Sequence, residues 1–117
     1  MHAERVASPK AFDEFVLLSA ASGSALRPRL DAAVEPFWQH AERELFLLRD
    51  GRRVLGRIGA VVDRAHDAQH GGALGFVAWL ETPSDLGCAR FLLEAAHSWL
   101  RAHGRTRVRG PLHLGLG

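Results

Sequence analysis

Three consecutive apolar segments in the middle of the chain constrain the fold more than any other feature. Residues 45–48 are followed by Asp50-Gly51, a pair typical of tight hairpin turns, and then by a second apolar segment over residues 54–62. Residues 63–72 are polar and end in two glycines, which predicts a longer turn before a third segment over residues 74–80. The pattern predicts three consecutive antiparallel strands.

Helix signals precede these strands. Ser8-Pro9 predicts a helix start, because serine caps a helix and proline fits its first turn. This helix is expected to end near Ser22-Gly23, and residues 4–7 before it are expected to form a short strand. Residues 28–36 suggest one or two helical turns, ended by the proline at position 36. The first helix presents an apolar stripe formed by Phe12, Phe15 and Val16.

A second amphipathic helix is predicted after the third strand. Thr82-Pro83-Ser84-Asp85 predicts its start, with the threonine as cap and the proline in the first helical position. Gly104 predicts its end. Residues 105–114 contain a final strand, interrupted by Gly110-Pro111. Because a helix joins this strand to residues 74–80, the two strands can lie parallel.

Composition bounds the classes of function. With 117 residues, 47% of them hydrophobic and 24% charged, the chain fits one globular domain rather than a disordered protein. Cys88 is the one cysteine, so no intrachain disulfide or cysteine-based zinc site can form, and no metal site is predicted. No segment is apolar enough to cross a membrane, and the N-terminus carries no secretory signal. A cytoplasmic location is therefore expected.

The order of elements resembles the front part of the GNAT-type N-acyltransferase fold. Local sequence strengthens the resemblance over residues 36–111, with motifs like those of one group of bacterial GNAT-like proteins. These motifs are Pro36-Phe37-Trp38-Gln39-His40-Ala41-Glu42, Asp50-Gly51, Gly56-Arg57-Ile58, Arg64-Ala65-His66-Asp67-Ala68-Gln69-His70-Gly71, Gly75-Phe76, Trp99-Leu100-Arg101 with Gly104, and Val108-Arg109-Gly110-Pro111. The resemblance implies an α+β (α/β-like) fold, a single domain over residues 1–117 with a mostly antiparallel sheet flanked by helices.

In such enzymes the turn from the fourth strand into the next helix binds the pyrophosphate of acyl-coenzyme A, through a pattern Arg/Gln-x-x-Gly-x-Gly/Ala. Small residues let main-chain N–H groups approach the phosphates at a helix N-terminus. This chain offers Ser84-Asp85-Leu86-Gly87-Cys88-Ala89, which departs from the pattern at its first position and adds an opposing carboxylate. The alternative is an ordinary first helical turn with small residues for packing. The resemblance implies acetyl-CoA or another acyl-CoA as co-substrate, held by Ser84, Gly87, Cys88, Ala89 and Arg90.

The resemblance also implies a catalytic candidate. A general base in this family is often a glutamate on the central strands, and Glu81 ends the strand that would line the cleft. The alternative is a surface carboxylate at a strand end. A complete domain of this family continues with a helix, often carrying a catalytic tyrosine, and two strands. This chain has no tyrosine and ends at Gly117, so we expect the front part of such a domain, or a shortened relative.

Two groups of polar residues, in the turn over residues 63–72 and in the last strand, can be interpreted either as structural or as functional. Asp63, His66, Asp67 and His70 are expected to form a polar hairpin turn, in which the spacing of the histidines has no meaning for a metal. Alternate arginines of the last strand share one face and could contact phosphates. However, no aromatic residue lies between them and the net charge is only +2, so nucleic acid is not the expected partner. A solvated or ion-paired face is expected for Arg105, Arg107 and Arg109.

Two classes of function stay open. One is an acyl-CoA-dependent N-acyltransferase that transfers an acyl group, such as acetyl, to a small-molecule or peptide amine, with main-chain N–H groups stabilising the oxyanion. The other is a non-catalytic module of the same partial fold that acts through a partner chain or as a homodimer, because an unpaired edge strand tends to find a partner.

Overall fold

The computed structural model describes residues 1–18, 23–83 and 86–112. In these residues five strands form one sheet in sequence order: β1 (His2–Arg5), β2 (Ala41–Asp50), β3 (Arg53–Asp63), β4 (Leu74–Glu81) and β5 (Arg107–Leu112). Neighbours from β1 to β4 pair antiparallel, whereas β4 and β5 pair parallel. The three predicted antiparallel strands and the parallel final pair are confirmed.

The first helix, α1 (Pro9–Leu17), begins where the sequence predicts. Ser8 Oγ accepts a hydrogen bond from the main-chain N of Ala11 at 3.1 Å, which satisfies one of the exposed donors of the first turn. The helix ends earlier than the expected Ser22-Gly23, and α2 (Gly23–Leu30) begins at that glycine. The predicted end is therefore wrong.

Two prolines behave differently from the expectation. Pro28 lies inside α2, which packs against α1, and Pro36 begins a 3₁₀ helix (Pro36–Gln39) instead of ending a helix. Proline fits the first turn of a helix because its missing N–H would have no partner there. The carboxylate of Glu35 caps this turn by accepting from the main-chain N of Phe37 at 3.2 Å.

The polar segment predicted as a turn is a short helix, α3 (Arg64–His70). Asp63 Oδ1 begins it by accepting from the main-chain N of Ala65 and of His66, at 3.0 and 3.2 Å. Gly71 ends it in the left-handed conformation, with φ of 93°. The turn prediction is wrong because an aspartate cap and a closing glycine also bound a two-turn helix.

The last helix, α4 (Leu86–Ala102), is followed by Gly104 with φ of 76°, so the predicted glycine stop is confirmed. The main-chain N of Arg105 donates to the carbonyl of Leu100 at 3.0 Å and closes this end of the helix. Among the described helices none is long and apolar enough to span a membrane.

The sheet separates two hydrophobic layers. Side chains alternate along β2, so that Leu45 and Leu47 pack on one side while Phe46 and Leu48 pack on the other. The first side, here called the α1 face, is covered by α1, α2 and the 3₁₀ helix. The second, the α4 face, is covered by α4. Burial of both faces supplies the main stabilisation of the fold.

A bulge in β4 breaks this alternation near the end of the strand. Arg57 of β3 pairs with Glu81, whereas Gly59 pairs with Ala78, so β4 carries one extra residue between the two pairs. Trp79 lies in the bulge with a φ of 57°, a backbone conformation that residues other than glycine seldom adopt. As a result two consecutive side chains, Ala78 and Trp79, both face the α1 layer.

Candidate active site

The C-terminal end of β4 leads into α4 through a short connection. Pairing between β4 and β5 ends, in the described residues, at Ala78 and Leu112. Beyond this pair, β4 continues through residues 79–81, and α4 begins five residues later, at Leu86. This end of β4 is therefore followed closely in the chain by a helix N-terminus, where main-chain N–H groups favour an anion.

A buried arginine holds the β4 bulge in place. Arg57 is 3% exposed, and its Nε donates to the main-chain oxygen of Trp79 at 3.1 Å. Its Nη1 donates to the carbonyl of Phe15, in the last turns of α1, at 2.8 Å. Burial lowers the pKa of Arg57 and Glu81 opposes this effect, but an arginine stays charged in the physiological range. One guanidinium therefore joins β3, the bulge and α1.

Glu81, the predicted catalytic residue, lies at the end of β4 with half of its side chain exposed. Its Oε1 is 4.0 Å from Nη2 of Arg57, so a fixed positive charge is close to the carboxylate. A glycine on the neighbouring strand makes room for this segment. A Cβ at Gly56 would lie 2.6 Å from the main-chain oxygen of Glu81, which no side chain could tolerate without movement of the backbone.

The predicted coenzyme site is placed only in part. Ser84 lies outside the described residues, as does Asp85. Gly87 and Arg90 are exposed in the first turns of α4 and Ala89 is half-buried, so this part of the helix is open to a ligand. The side chain of Cys88 is buried instead, with its Sγ 3.9 Å from Sδ of Met1. The thiol of this cysteine is therefore not on the exposed surface of the helix.

Thr82 does not cap α4, and this part of the sequence interpretation is wrong. The helix begins at Leu86, and Oγ1 of Thr82 is buried without a hydrogen-bond partner in the described part of the chain. The main chain of Thr82 instead packs beside Gly56, with its Cα 3.4 Å from the position of a Cβ there.

The polar set around α3 is mostly engaged in the fold. The rings of His66 and His70 stack 4.2 Å apart, one helical turn from each other, which the predicted hairpin turn would not allow. Asp63 caps the helix, and Asp67 accepts a hydrogen bond from Arg105. Over residues 1–18, 23–83 and 86–112, no three His, Cys, Asp or Glu side chains are grouped as a metal site requires.

The three alternating arginines do not share one strand face. Arg105 precedes β5, is 11% exposed, and forms an ion pair with Asp67 and a hydrogen bond to the carbonyl of Gly72. Arg107 and Arg109 lie on β5 and are exposed. The prediction that all three arginines share one strand face is wrong, because β5 begins at Arg107 and Arg105 lies before the strand.

Arg57 and Trp79 are the residues to which sequence reasoning gave no role in the site: Arg57 was only part of a motif of the resemblance, and Trp79 was expected in the core. The sequence carried one signal for Arg57, an arginine next to a glycine within an apolar segment. Such an arginine is expected to be buried, and a buried arginine needs specific partners. The left-handed conformation of Trp79 has no local signal in the sequence.

Comparisons with known proteins were made by family, sequence and structure. No family model matches the chain. The bacterial ceramide synthase of Caulobacter vibrioides (strain NA1000 / CB15N) is 38% identical over 93 residues, which are 79% of this chain and 23% of that protein. Protein YghO of Escherichia coli (strain K12) is 25% identical over 85 residues, which are 73% of this chain and 22% of that protein. The chain thus spans less than a quarter of the length of these relatives.

A solved structure described as "Putative acetyl transferase from Pyrococcus furiosus" superposes with a TM-score of 0.60. It covers 97% of this chain and 86% of its own, at 16% identity, so the likeness concerns the fold. The expected mixed α+β class, with a sheet flanked by helices, is confirmed by both the element order and this superposition. The chain has a GNAT-like, acetyltransferase-like fold.

Proposed function

We propose that this chain forms the acyl-CoA-binding part of an N-acyltransferase. The observation that carries the proposal is the bulge near the end of β4, a strand that is followed within five residues by the first turn of α4. An acyl thioester placed at this end of β4 would accept hydrogen bonds from main-chain N–H groups of the bulged segment, which would stabilise the oxyanion of acyl transfer. The superposition with an acetyltransferase-like structure supports acyl-CoA use in general.

The coenzyme phosphates would lie at the first turn of α4. Gly87 is exposed there, and without a side chain it lets a phosphate approach the main-chain N–H groups. Arg90 is exposed within the next turn and supplies a positive charge. Cys88 and Ala89 would contribute main-chain groups, and Ser84 a hydroxyl. Acetyl-CoA or another acyl-CoA is the proposed co-substrate.

The reaction is direct attack of an amine on the thioester carbonyl. The C–N bond of the amide forms, the C–S bond breaks, and coenzyme A leaves as the thiol after taking up a proton. Glu81 is the proposed group that accepts the proton of the attacking amine, because its half-exposed carboxylate lies two residues beyond the bulge. Oγ1 of Thr82 is buried without a hydrogen-bond partner in the described chain, and we propose that it donates to the acyl-CoA.

The acceptor is proposed to be an amine that becomes an amide. The relative from Caulobacter vibrioides is described as a ceramide synthase, and a ceramide is itself the amide of a long-chain amino alcohol. Such an amino alcohol is therefore one acceptor to test, beside small-molecule and peptide amines. Because the chain spans 23% of that protein, the acceptor preference is a proposal for this chain.

The test is a titration of acetyl-CoA into the chain, followed by calorimetry and by the thermal midpoint, which a ligand of the folded state must raise. Gly87→Glu adds a side chain and a negative charge at the proposed phosphate position. We expect at least tenfold weaker binding. Ser98→Glu adds the same group at an exposed position farther along α4 and is the matched control, with binding unchanged. Absent binding, or equal effects of both variants, would contradict the proposal.

A non-catalytic role through self-association is the second candidate, and the outer edge of the sheet favours it. β5 is the terminal strand of the described sheet, and Val108 on it is 41% exposed. An open groove of about 600 Å³ lies between α4 and β5, lined by His97, Arg101, Gly104, Arg105, Thr106 and Val108. Sedimentation equilibrium of the wild type and of Val108→Lys tests this role: a dimer lost in the variant supports it, and a monomeric wild type contradicts it.

A further inference from the structure

Two buried side-chain donors on the α1 face have no acceptor in the described residues. They are Nη1 of Arg43 and Nε1 of Trp79. Both side chains contact the same ring, that of Trp38. The Cζ of Arg43 lies 4.5 Å from its centroid, and the ring of Trp79 lies 6.1 Å from it. Buried N–H groups nearly always have a partner, so two exceptions on side chains that share one aromatic neighbour point to a ligand group that accepts hydrogen bonds.

The aromatic neighbours cannot supply that group. An indole has a donor and no acceptor, and Trp38 already donates its N–H to the main-chain oxygen of Arg29 at 2.7 Å. Trp79 is 4% exposed, and its ring lies over Gly59, where a Cβ would be 2.5 Å from the ring. The ring is thus held by close packing and by the bulge. Its N–H cannot turn to solvent without loss of that packing.

The charge of Arg43 also lacks a close counter-charge. No ion pair joins its guanidinium to a carboxylate in the described part of the chain. Burial lowers the pKa of Arg43, and the carboxylate of Asp31 opposes this effect without reaching ion-pair distance. A partly buried cation without a partner costs free energy. A neutral hydroxyl would accept a hydrogen bond from Arg43 but would not neutralise its positive charge. An anion would do both.

We propose that Arg43, Trp38 and Trp79 form a binding site for a carboxylate or phosphate group of a ligand. Nη1 of Arg43 and Nε1 of Trp79 donate to its oxygens, and the ring of Trp38 lies beside both side chains. Trp79 lies two residues before Glu81 on the same strand. This step rests on the proposed function: the ligand is the amine acceptor. An acceptor with an acidic group close to its amine is then favoured over the long-chain amino alcohol considered above.

The indole N–H of Trp79 gives a direct readout of this site. The chain has three tryptophans and hence three indole cross-peaks in a ¹H–¹⁵N spectrum, assigned through the variants Trp38→Phe, Trp79→Phe and Trp99→Phe. The probes are sodium acetate and inorganic phosphate, each titrated at constant ionic strength against chloride. A new hydrogen bond moves the Trp79 proton downfield. We expect a saturable downfield shift with one or both probes, and the stronger probe distinguishes carboxylate from phosphate.

The variant Arg43→Met keeps an apolar stem on the ring of Trp38 and removes the charge. We expect it to weaken binding of the effective anion about tenfold or more, as expected for a hydrogen bond to a charged group. Arg53→Met removes the same charge from an exposed residue and is the matched control, with affinity within twofold of wild type. Trp99 lies on the α4 face, so its cross-peak should not move.

Three results would overturn the proposal. The Trp79 cross-peak could stay fixed through both titrations, which is the result expected if a trapped water occupies the site. Its shift could persist unchanged in Arg43→Met. Finally, Arg53→Met could weaken binding equally. The readout needs no acyl-CoA, so it separates the two proposals: acetyl-CoA binding with a fixed Trp79 peak contradicts the anion site, and a Trp79 shift without acetyl-CoA binding contradicts the proposed function alone.

Discussion

Arg57 donates its Nε–H to the main-chain oxygen of Trp79, 3.1 Å away, so the bulge of β4 depends on a charged side chain of β3. The same guanidinium donates to Phe15 in α1 at 2.8 Å. A residue that is 3% exposed and holds two carbonyls is expensive to truncate, because both oxygens lose their donor inside the protein. The bulged end of β4 is therefore stabilised by hydrogen bonds between residues distant in sequence, rather than by the conformational preferences of its own residues.

Truncation of this arginine should destabilise the whole domain. Arg57→Met is expected to lower the free energy of unfolding by about 3 kcal/mol, since breaking a buried charged network costs on the order of 3–5 kcal/mol. Urea unfolding with an unchanged slope measures it. Glu81→Gln is the control, because the ion pair at 4.0 Å is half exposed and should contribute less than about 1 kcal/mol. Equal losses in the two variants would contradict this account.

The backbone of Trp79 should prefer glycine to alanine. With φ of 57°, any residue with a Cβ is strained by roughly 1–2 kcal/mol. Trp79→Gly and Trp79→Ala lose the same indole packing, so their difference isolates the backbone. We expect the glycine variant to be more stable by about 1 kcal/mol, whereas glycine in a regular strand interior is less stable than alanine by roughly 0.5–1 kcal/mol. The same order as in a regular strand would show that the bulge is absent in solution.

Gly59 and Trp79 should be energetically coupled. A Cβ at Gly59 would lie 2.5 Å from the indole and 3.3 Å from a methyl of Leu45, so the ring is the main obstacle. Gly59→Ala is expected to cost about 1–3 kcal/mol, the usual range for overpacking. In a Trp79→Ala background the cost should fall below about 1 kcal/mol. A double-mutant cycle by urea unfolding measures the coupling, and additive effects would show that the ring does not lie over Gly59.

Much of the fold follows from local signals in the sequence. The Asp50-Gly51 hairpin, the Ser8 cap and the Gly104 stop each act over a few residues, and each is found where it was predicted. α3 had local signals too, in Asp63 and Gly71, but its polar composition also fitted a turn.

The site is less predictable because its parts come from distant segments. The bulge needs Arg57 of β3, and the proposed anion site needs Trp38, Arg43 and Trp79, which are brought together only by the folded sheet. Glu81 and Gly87 could be placed at neighbouring element ends from the order of elements alone. No period or spacing in the sequence indicates that Arg43 and Trp79 both lie beside the ring of Trp38.

Stability should decrease in acid through Glu14. Nη1 and Nη2 of Arg49 donate to its two carboxylate oxygens at 3.0 and 2.7 Å, and these hydrogen bonds hold the pKa of Glu14 below its ordinary value of 4.5. The native state therefore binds fewer protons than the unfolded chain over this range. The contribution of this interaction to the free energy of unfolding is fully present above about pH 5. It is lost as the pH falls through the lowered pKa of Glu14.

A variant series isolates that contribution. In Glu14→Gln the difference from wild type should be largest at neutral pH and shrink as the pH falls below the ordinary pKa, as measured by urea unfolding at several pH values. Glu94→Gln changes an exposed carboxylate of α4 and is the matched control, with a pH profile like that of wild type. A Glu14→Gln profile parallel to wild type over the whole range would show that Arg49 does not lower this pKa.

Glu81 should separate chemistry from coenzyme binding. If its carboxylate accepts the proton of the attacking amine, Glu81→Gln lowers the rate of amide formation by roughly 10²–10⁴-fold, the usual contribution of a general base. The residue lies beyond the proposed phosphate site at α4, so acetyl-CoA affinity should change less than about threefold, a free-energy difference of roughly 0.7 kcal/mol. Release of free thiol with and without amine measures the rate, and calorimetry the affinity. A variant with full activity would exclude Glu81 as the base, whereas a large loss of affinity would place its carboxylate in coenzyme binding instead.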